Sequence, residues 1–193
     1  MLLIAPPAII AQQQPQPSKP RIIKYGLTHF IPSLFSELLT TPGLAALFQE
    51  ERVTAPLRPA GLDNLLSVDQ DHSIIAQGTP EAQARVKALL ALLDVESKSV
   101  QLAMRLVQGG KPESRPTIVT FSNFKGKFSV EGQADSQSVT VIPHLNRDGK
   151  TVAIAAQVNQ ERWLVQTVKL GVETKFVFPN HQELFVTATQ MEK

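Results

Sequence analysis

The chain of 193 residues has no cysteine, which rules out disulfides and thiolate metal sites. It has no apolar run of about 18 residues, so no transmembrane helix is expected. It has no excess of one charge. Its 19 Lys and Arg meet 17 Asp and Glu for a formal +2, and the basic residues are scattered, unlike the footprint of a nucleic-acid binder. No G-x-S-x-G, H-E-x-x-H or phosphate-cradling glycine loop occurs. Gly109-Gly110-Lys111 lacks the rest of a P-loop and reads as linker. No catalytic residue, cofactor or small-molecule substrate is expected.

What the chain does have is concentrated in Leu65–Val107. Leu66 and Val68 alternate with polar neighbours as in a half-buried strand, Asp69-Gln70-Asp71 makes a polar turn, and Ile74 and Ile75 begin a return strand ending at Gly78. Thr79 suits a helix N-cap, Pro80 the first helical position, and Glu81 adds a negative charge to the first turn. Ala82, Val86, Leu89, Leu90 and Leu93 form one helical stripe, which Asp94 closes. Val100, Leu102, Met104 and Leu106 then switch the period to two.

The upstream segment follows the same grammar. Ile23, Tyr25 and Leu27 alternate as a strand; Ile31, Leu34, Phe35, Leu38 and Leu39 have helical spacing with Pro32 near the start. Thr41-Pro42 opens a further helical turn through Leu44, Leu47 and Phe48. Residues 21–108 are therefore expected to form an α+β domain, a small mixed sheet covered by two helices.

Residues 1–20 stand apart. MLLIAPPAIIA is apolar and ends in a small residue, and QQQPQPSKP is linker-like, which together resemble the tail of a secretory signal peptide running into a disordered linker. Residues 109–116, GGKPESRP, read as a second linker. Residues 117–193 read as a small antiparallel all-β domain, one sheet or a sandwich. Alternation marks 118–121, 127–130, 139–142, 152–158, 163–170, 175–178 and 184–189, with turns at Asn146-Arg147-Asp148-Gly149 and Pro179-Asn180-His181-Gln182.

The four histidines are His29, His72, His144 and His181. Asp69, Asp71 and His72 form the one compact carboxylate–imidazole cluster, and a solvated turn explains it better than a metal site. His144, after Pro143 at a strand end, and His181, in a turn, are expected at the surface. Trp163, Phe121 and Phe128 fit a sheet core better than a base-stacking platform. Phe124, out of phase in a turn, and Leu92, off the main helix stripe, are the candidate interface residues.

Leu65–Val107 resembles the periplasmic ring-building repeat of bacterial secretins, the channels of type II and type III secretion and type IV pili. Three later segments are similar to the secretin C-terminal core, in the same order: RPTIVTFSNFKGKFSVEG at 115–132, VTVIPHLNRDGKTVAIAAQV at 139–158 and KFVFPNHQELFV at 175–186. The resemblance implies a KH-like fold for the repeat. A nucleic-acid clamp of that fold needs a G-x-x-G loop between helices, and none stands there, so no nucleic-acid partner is expected.

The departures are specific. In the family a long insert carrying the gate and membrane hairpins separates the segments that here end at Gly132 and begin at Ser138; only Gln133–Gln137 stands in its place. One membrane strand needs about 9–11 residues, so no membrane-spanning segment is expected. His181 occupies a tight-turn glycine position, and Thr187-Ala188-Thr189 replaces a double glycine. The resemblance implies an exported, non-catalytic module of the periplasm or cell envelope. It would self-associate, or assemble with secretion or pilus proteins, to build or line a ring without forming the pore. The alternative is a monomeric periplasmic module that binds a peptide strand by edge addition.

Overall fold

The computed structural model describes residues 19–41, 43–51, 57–131 and 136–191. Residues 1–18, expected as signal tail and linker, and residues 133–135 of the expected loop Gln133–Gln137 lie outside the described residues; Ser136 and Gln137, expected in that loop, instead open the strand Ser136–Leu145 and pair with Glu131 and Val130. Three antiparallel sheets and two α-helices make the chain α+β.

The first sheet has the order β1–β3–β2, with β1 Arg21–Gly26, β2 Leu62–Val68 and β3 Ser73–Gly78. Both pairings are antiparallel. Helices α1 (Pro32–Thr40) and α2 (Pro80–Leu93) bury their apolar stripes against its inner face. The Thr79 hydroxyl accepts from Ala82 N–H at 3.2 Å and Pro80 opens α2, as the sequence predicts. Ala82, Val86, Leu90 and Leu93 are buried, and Arg85 is exposed.

Two sheets form a β-sandwich. The four-stranded sheet has the order β10–β9–β8–β7, from β7 Gly126–Glu131, β8 Ser136–Leu145, β9 Thr151–Val158 and β10 Leu164–Lys169. The five-stranded sheet runs β11–β12–β4–β5 with β6 also on β4. Its members are β4 Ser99–Gln108, β5 Lys111–Ser114, β6 Thr117–Phe121, β11 Thr174–Val177 and β12 Glu183–Gln190.

The four-stranded sheet carries a core on each face. Val139, Val141, Val152, Ile154 and Ala156 point into the sandwich toward Leu102, Leu106 and Phe176. Ile142, Ala153 and Ala155 point the other way, into the core shared with the helices. The small alanines leave room for the 3-10 segment Leu44–Glu51, whose Leu44, Leu47 and Phe48 belong to that same core. One ion pair, Lys125 to Glu37 of α1, adds a polar link between the halves.

Several expectations are corrected. The sheet expected to be mixed is antiparallel, because β4 leaves it and pairs with β12 and β6 in the sandwich. Alternation fixes β4 as a strand with one apolar face, but not the sheet that receives it. The stretch 109–116 is not a plain linker. Gly109 and Gly110 take φ of 56° and 80°, a tight turn that returns the chain along β4 as β5. Pro112 is tolerated there because β5 is an edge strand. The further helical turn is 3-10 and breaks at Phe48, with φ −108° and ψ 16°.

Candidate interface and cleft

The Asp69, Asp71 and His72 cluster is structural. Asp69 accepts from Ser33 N–H at 2.8 Å, at the start of α1. Asp71 pairs with Lys24 Nζ at 2.6 Å and accepts from the Ser73 hydroxyl at 2.5 Å; these bonds hold its carboxyl below the usual range. His72 is exposed, with φ 48° closing the turn. Among the described residues no His, Asp and Glu group is placed to hold a metal ion.

Leu92 and Phe124 sit close to one cleft. Leu92, half-buried near the end of α2, lines it. Phe124 is half-buried in the β6–β7 turn, directly after Ser122 and Asn123, which line it too. The Phe124 ring meets Phe121 edge-on, with centroids 5.7 Å apart, and Phe121 is 50% exposed.

The cleft has a volume of about 290 Å³ and lies between the α2–β4 connector and the β6–β7 and β8–β9 turns. Leu92 and Val95 supply apolar wall; Glu96, Lys98 and Arg147 are its charged lining. Buried polar side chains line the rest: Ser122, Asn123, His144 and Asn146. Asn123 holds a left-handed φ of 68°; its N–H donates to Pro143 O at 2.6 Å, and its Oδ1 lies 2.7 Å from His144 Nδ1. The Ser122 hydroxyl accepts from Leu145 N–H at 2.9 Å.

His144 therefore departs from its expected surface position: it is 6% exposed. Burial, reinforced by the positive charge of Arg147, lowers its pKa to about 4 and keeps the imidazole neutral. The sequence signal was the phase of β8. Ile142 and His144 share the face opposite Val139 and Val141, and that face meets the 3-10 segment rather than water. His181, by contrast, is exposed in its turn with φ 61°.

Two open surfaces complete the picture. On the outward face of the first sheet, Ile22 is 69% and Leu66 58% exposed, one on each edge strand. On the five-stranded sheet the outward face mixes apolar and charged side chains. Val119 and Phe121 on β6 and Val177 on β11 are exposed; Arg105 of β4 pairs with Glu173 at 3.2 Å and Lys175 of β11 with Glu183 of β12 at 2.8 Å. Hydrogen bonds from Met104 N–H to Pro116 O and from Ser122 N–H to Lys98 O set the β4–β6 alternation. Thr117, Val119 and Phe121 consequently turn their backbone groups away from β4.

No family model matches the chain. No curated protein matches it. Among solved structures, it is similar to the secretin InvG of the Salmonella SPI-1 type III secretion injectisome. A near-atomic cryo-EM structure of InvG aligns at 10% identity over 91% of this chain and 88% of that one, with a TM-score of 0.38. The InvG secretin-domain β-barrel aligns at 11% identity, 91% and 89% coverage and the same TM-score of 0.38. In the basal-body assembly of InvG, PrgH and PrgK, the matched chain is covered over 62% of its length, at 10% identity and a TM-score of 0.38.

Proposed function

We propose that the chain is a non-catalytic, secretin-like assembly module of the bacterial envelope that builds or lines a ring of a secretion or pilus-type system. The observation that carries this reading is the pair of exposed apolar side chains, Ile22 and Leu66, on opposite edge strands of one sheet face. They share that outward face with the half-buried Ile75 of β3, and open strand edges are where another chain can pair. Two different patches that meet head to tail generate a ring when the rotation closes. The ordered sequence resemblance to the secretin repeat and core supports the choice of system. In this reading the α+β part stacks on copies of itself, the sandwich forms wall, and Leu92 and Phe124 contribute contacts. Export to the periplasm follows from the signal-like residues 1–11.

The test is the mass of the purified chain in solution. The reading expects a multiple of the 21.1 kDa protomer that collapses to the monomer in Leu66→Glu and Ile22→Glu. A monomer at every concentration, with or without envelope extract, would overturn it. A second reading, a monomeric binder of an extended peptide, is favoured by one feature. β6 carries no charge or proline, and its outward backbone groups suit strand addition.

A further inference from the structure

Open strand edges invite pairing with another chain, and charges, prolines and bulges are the usual guards against it. The edges of this fold are guarded with one exception. β1 carries Arg21 and Lys24, and β2 carries Asp63 and a register shift between Leu62 and Asn64. β5, β7, β10 and β11 each hold a lysine, at Lys111, Lys127, Lys169 and Lys175, and β5 adds Pro112. β6, Thr117-Ile118-Val119-Thr120-Phe121, has neither charge nor proline, and among the described residues β4 is its only strand partner.

The open side of β6 is its own complement. Thr117, Val119 and Phe121 turn their N–H and C=O groups outward, with Val119 at the centre of the three. An antiparallel copy of the strand offers the same three residues in reverse, so Val119 faces Val119 and Thr117 faces Phe121. The Val119 pair exchanges two hydrogen bonds. The Phe121 carbonyl already accepts from Phe124 N–H at 3.0 Å, so each of the two Thr117–Phe121 pairs adds one, from Phe121 N–H to the Thr117 carbonyl.

The side chains agree with that register. Val119 is 60% and Phe121 50% exposed, both on the outward face of the sheet. Two-fold pairing sets each Val119 beside its counterpart and each Phe121 beside a threonine. β-branched and aromatic pairs across strands are favourable, and no like charges meet. The open window runs only from the break at Arg115-Pro116 to the turn at Ser122-Asn123, and a second copy brings a strand of that same length.

We infer that β6 pairs with β6 of a second copy, antiparallel and in register at Val119, joining two five-stranded sheets across a two-fold axis. This isologous contact goes beyond the head-to-tail one through Ile22 and Leu66, and it fills the β6 edge with this chain instead of a foreign peptide. It is small beside standard interfaces, so it forms at about 100 µM protein and above, not in dilute solution.

Sedimentation equilibrium on the full chain carrying Ile22→Glu and Leu66→Glu removes the ring contact and reads the β6 contact alone. The expected result is reversible monomer–dimer association. Val119→Lys and Val119→Glu, added separately, each weaken it about tenfold or more, because the axis sets like charges face to face. An equimolar mixture of the two restores it, because this register puts residue 119 opposite itself. Val119 is exposed and its N–H is not bonded to β4, and matching thermal midpoints verify the fold of each variant. In the unmodified chain, NMR on a mixture of differently labelled copies should place the Ile118 Hα against the Thr120 Hα of the other copy, the close contact of a pair without hydrogen bonds. A monomer up to about 1 mM, a dimer without the Ile118–Thr120 contact, an affinity unmoved by Val119→Lys, or no recovery in the mixture would overturn the pairing. Absence of a ring in the unmodified chain leaves each of these readouts unchanged, so the two contacts fail separately.

Discussion

The ring of His144 meets the ring of Phe48 edge-on, with centroids 4.6 Å apart and planes at 65°. Phe48 lies in the 3-10 segment and His144 in β8, so this contact joins the helical half of the chain to the sandwich. The imidazole fits because it is neutral; a proton would put a charge among Phe48, Asn123 and the core, beside Arg147.

The consequence is acid sensitivity of a defined sign. His144 titrates at about 4 folded and near 6.5 unfolded, so the unfolded chain binds the extra proton first. His144's contribution is fully present above pH 6.5 and is lost as pH falls toward 4, about 3 kcal/mol at one pKa unit per 1.36 kcal/mol. Asp71 and Asp148, whose pKa values are also lowered by their hydrogen bonds, add further loss at lower pH still. Urea midpoints between pH 7.5 and 4.5 should fall in the native chain and stay nearly level in His144→Phe. Parallel curves for the two proteins would refute the assignment.

The stripe of α2 predicts a second contrast. Leu90 is 6% exposed in the shared core, and Arg85 is exposed on the far face. Leu90→Ala should destabilise by about 2–5 kcal/mol, and Arg85→Ala by less than about 0.5 kcal/mol. Denaturant titration measures both, and equal losses would mean that the helix presents a different face.

Asp94 predicts a third. Its carboxylate accepts from three consecutive backbone N–H groups, Thr28 at 2.9 Å, His29 at 2.6 Å and Phe30 at 2.9 Å, and so ties the end of α2 to the β1–α1 loop. Hydrogen bonds to a charged acceptor contribute about 1.5–3 kcal/mol each, and truncation leaves three donors to find water. Asp94→Ala should cost about 2–4 kcal/mol, with fast hydrogen exchange confined at first to Thr28–Phe30. Slow exchange there in the variant would show that the loop is held by something else.

The local grammar of this chain was legible because it is local. The Thr79 cap, the Ala82–Leu93 stripe and the strands on either side of Asn146–Gly149 each follow from residues a few positions apart. The membership of β4 was not, because Val100, Leu102, Met104 and Leu106 would serve either sheet equally well; the choice is made by β12, some eighty residues on. His144 was misplaced for a related reason. A strand alternating toward solvent and one alternating toward a second core have the same pattern, and only the docking of Phe48 separates them. The cleft was invisible for the same cause, since its lining comes from three separate turns. Leu92 lies off the helix stripe and Phe124 out of phase with its strand; their neighbourhoods meet at that cleft, although neither pattern alone places it.

Two glycines give the last contrast, because the space around them differs in kind. Gly78 ends β3 just before the Thr79 cap, and a Cβ there would stand 2.5 Å from the Gly61 carbonyl oxygen and 3.1 Å from Leu62 Cα. Both are backbone atoms of the neighbouring strand's approach, held by the Thr79 N–H to Gly61 O bond of 2.9 Å, so relief requires moving β2 against β3. At Gly126 a Cβ would meet the Ile118 Cδ1 methyl and, at 3.3 Å, a Val141 methyl. The first is the tip of a half-buried side chain that can swing to another rotamer. Overpacking costs about 1–3 kcal/mol where side chains can adjust and more where backbone must move. Gly78→Ala should therefore destabilise beyond about 3 kcal/mol, and Gly126→Ala by about 1 kcal/mol, as read from paired thermal and denaturant unfolding. The reverse order would mean that β2 yields more easily than Ile118, and would contradict the packing of the first sheet against α2.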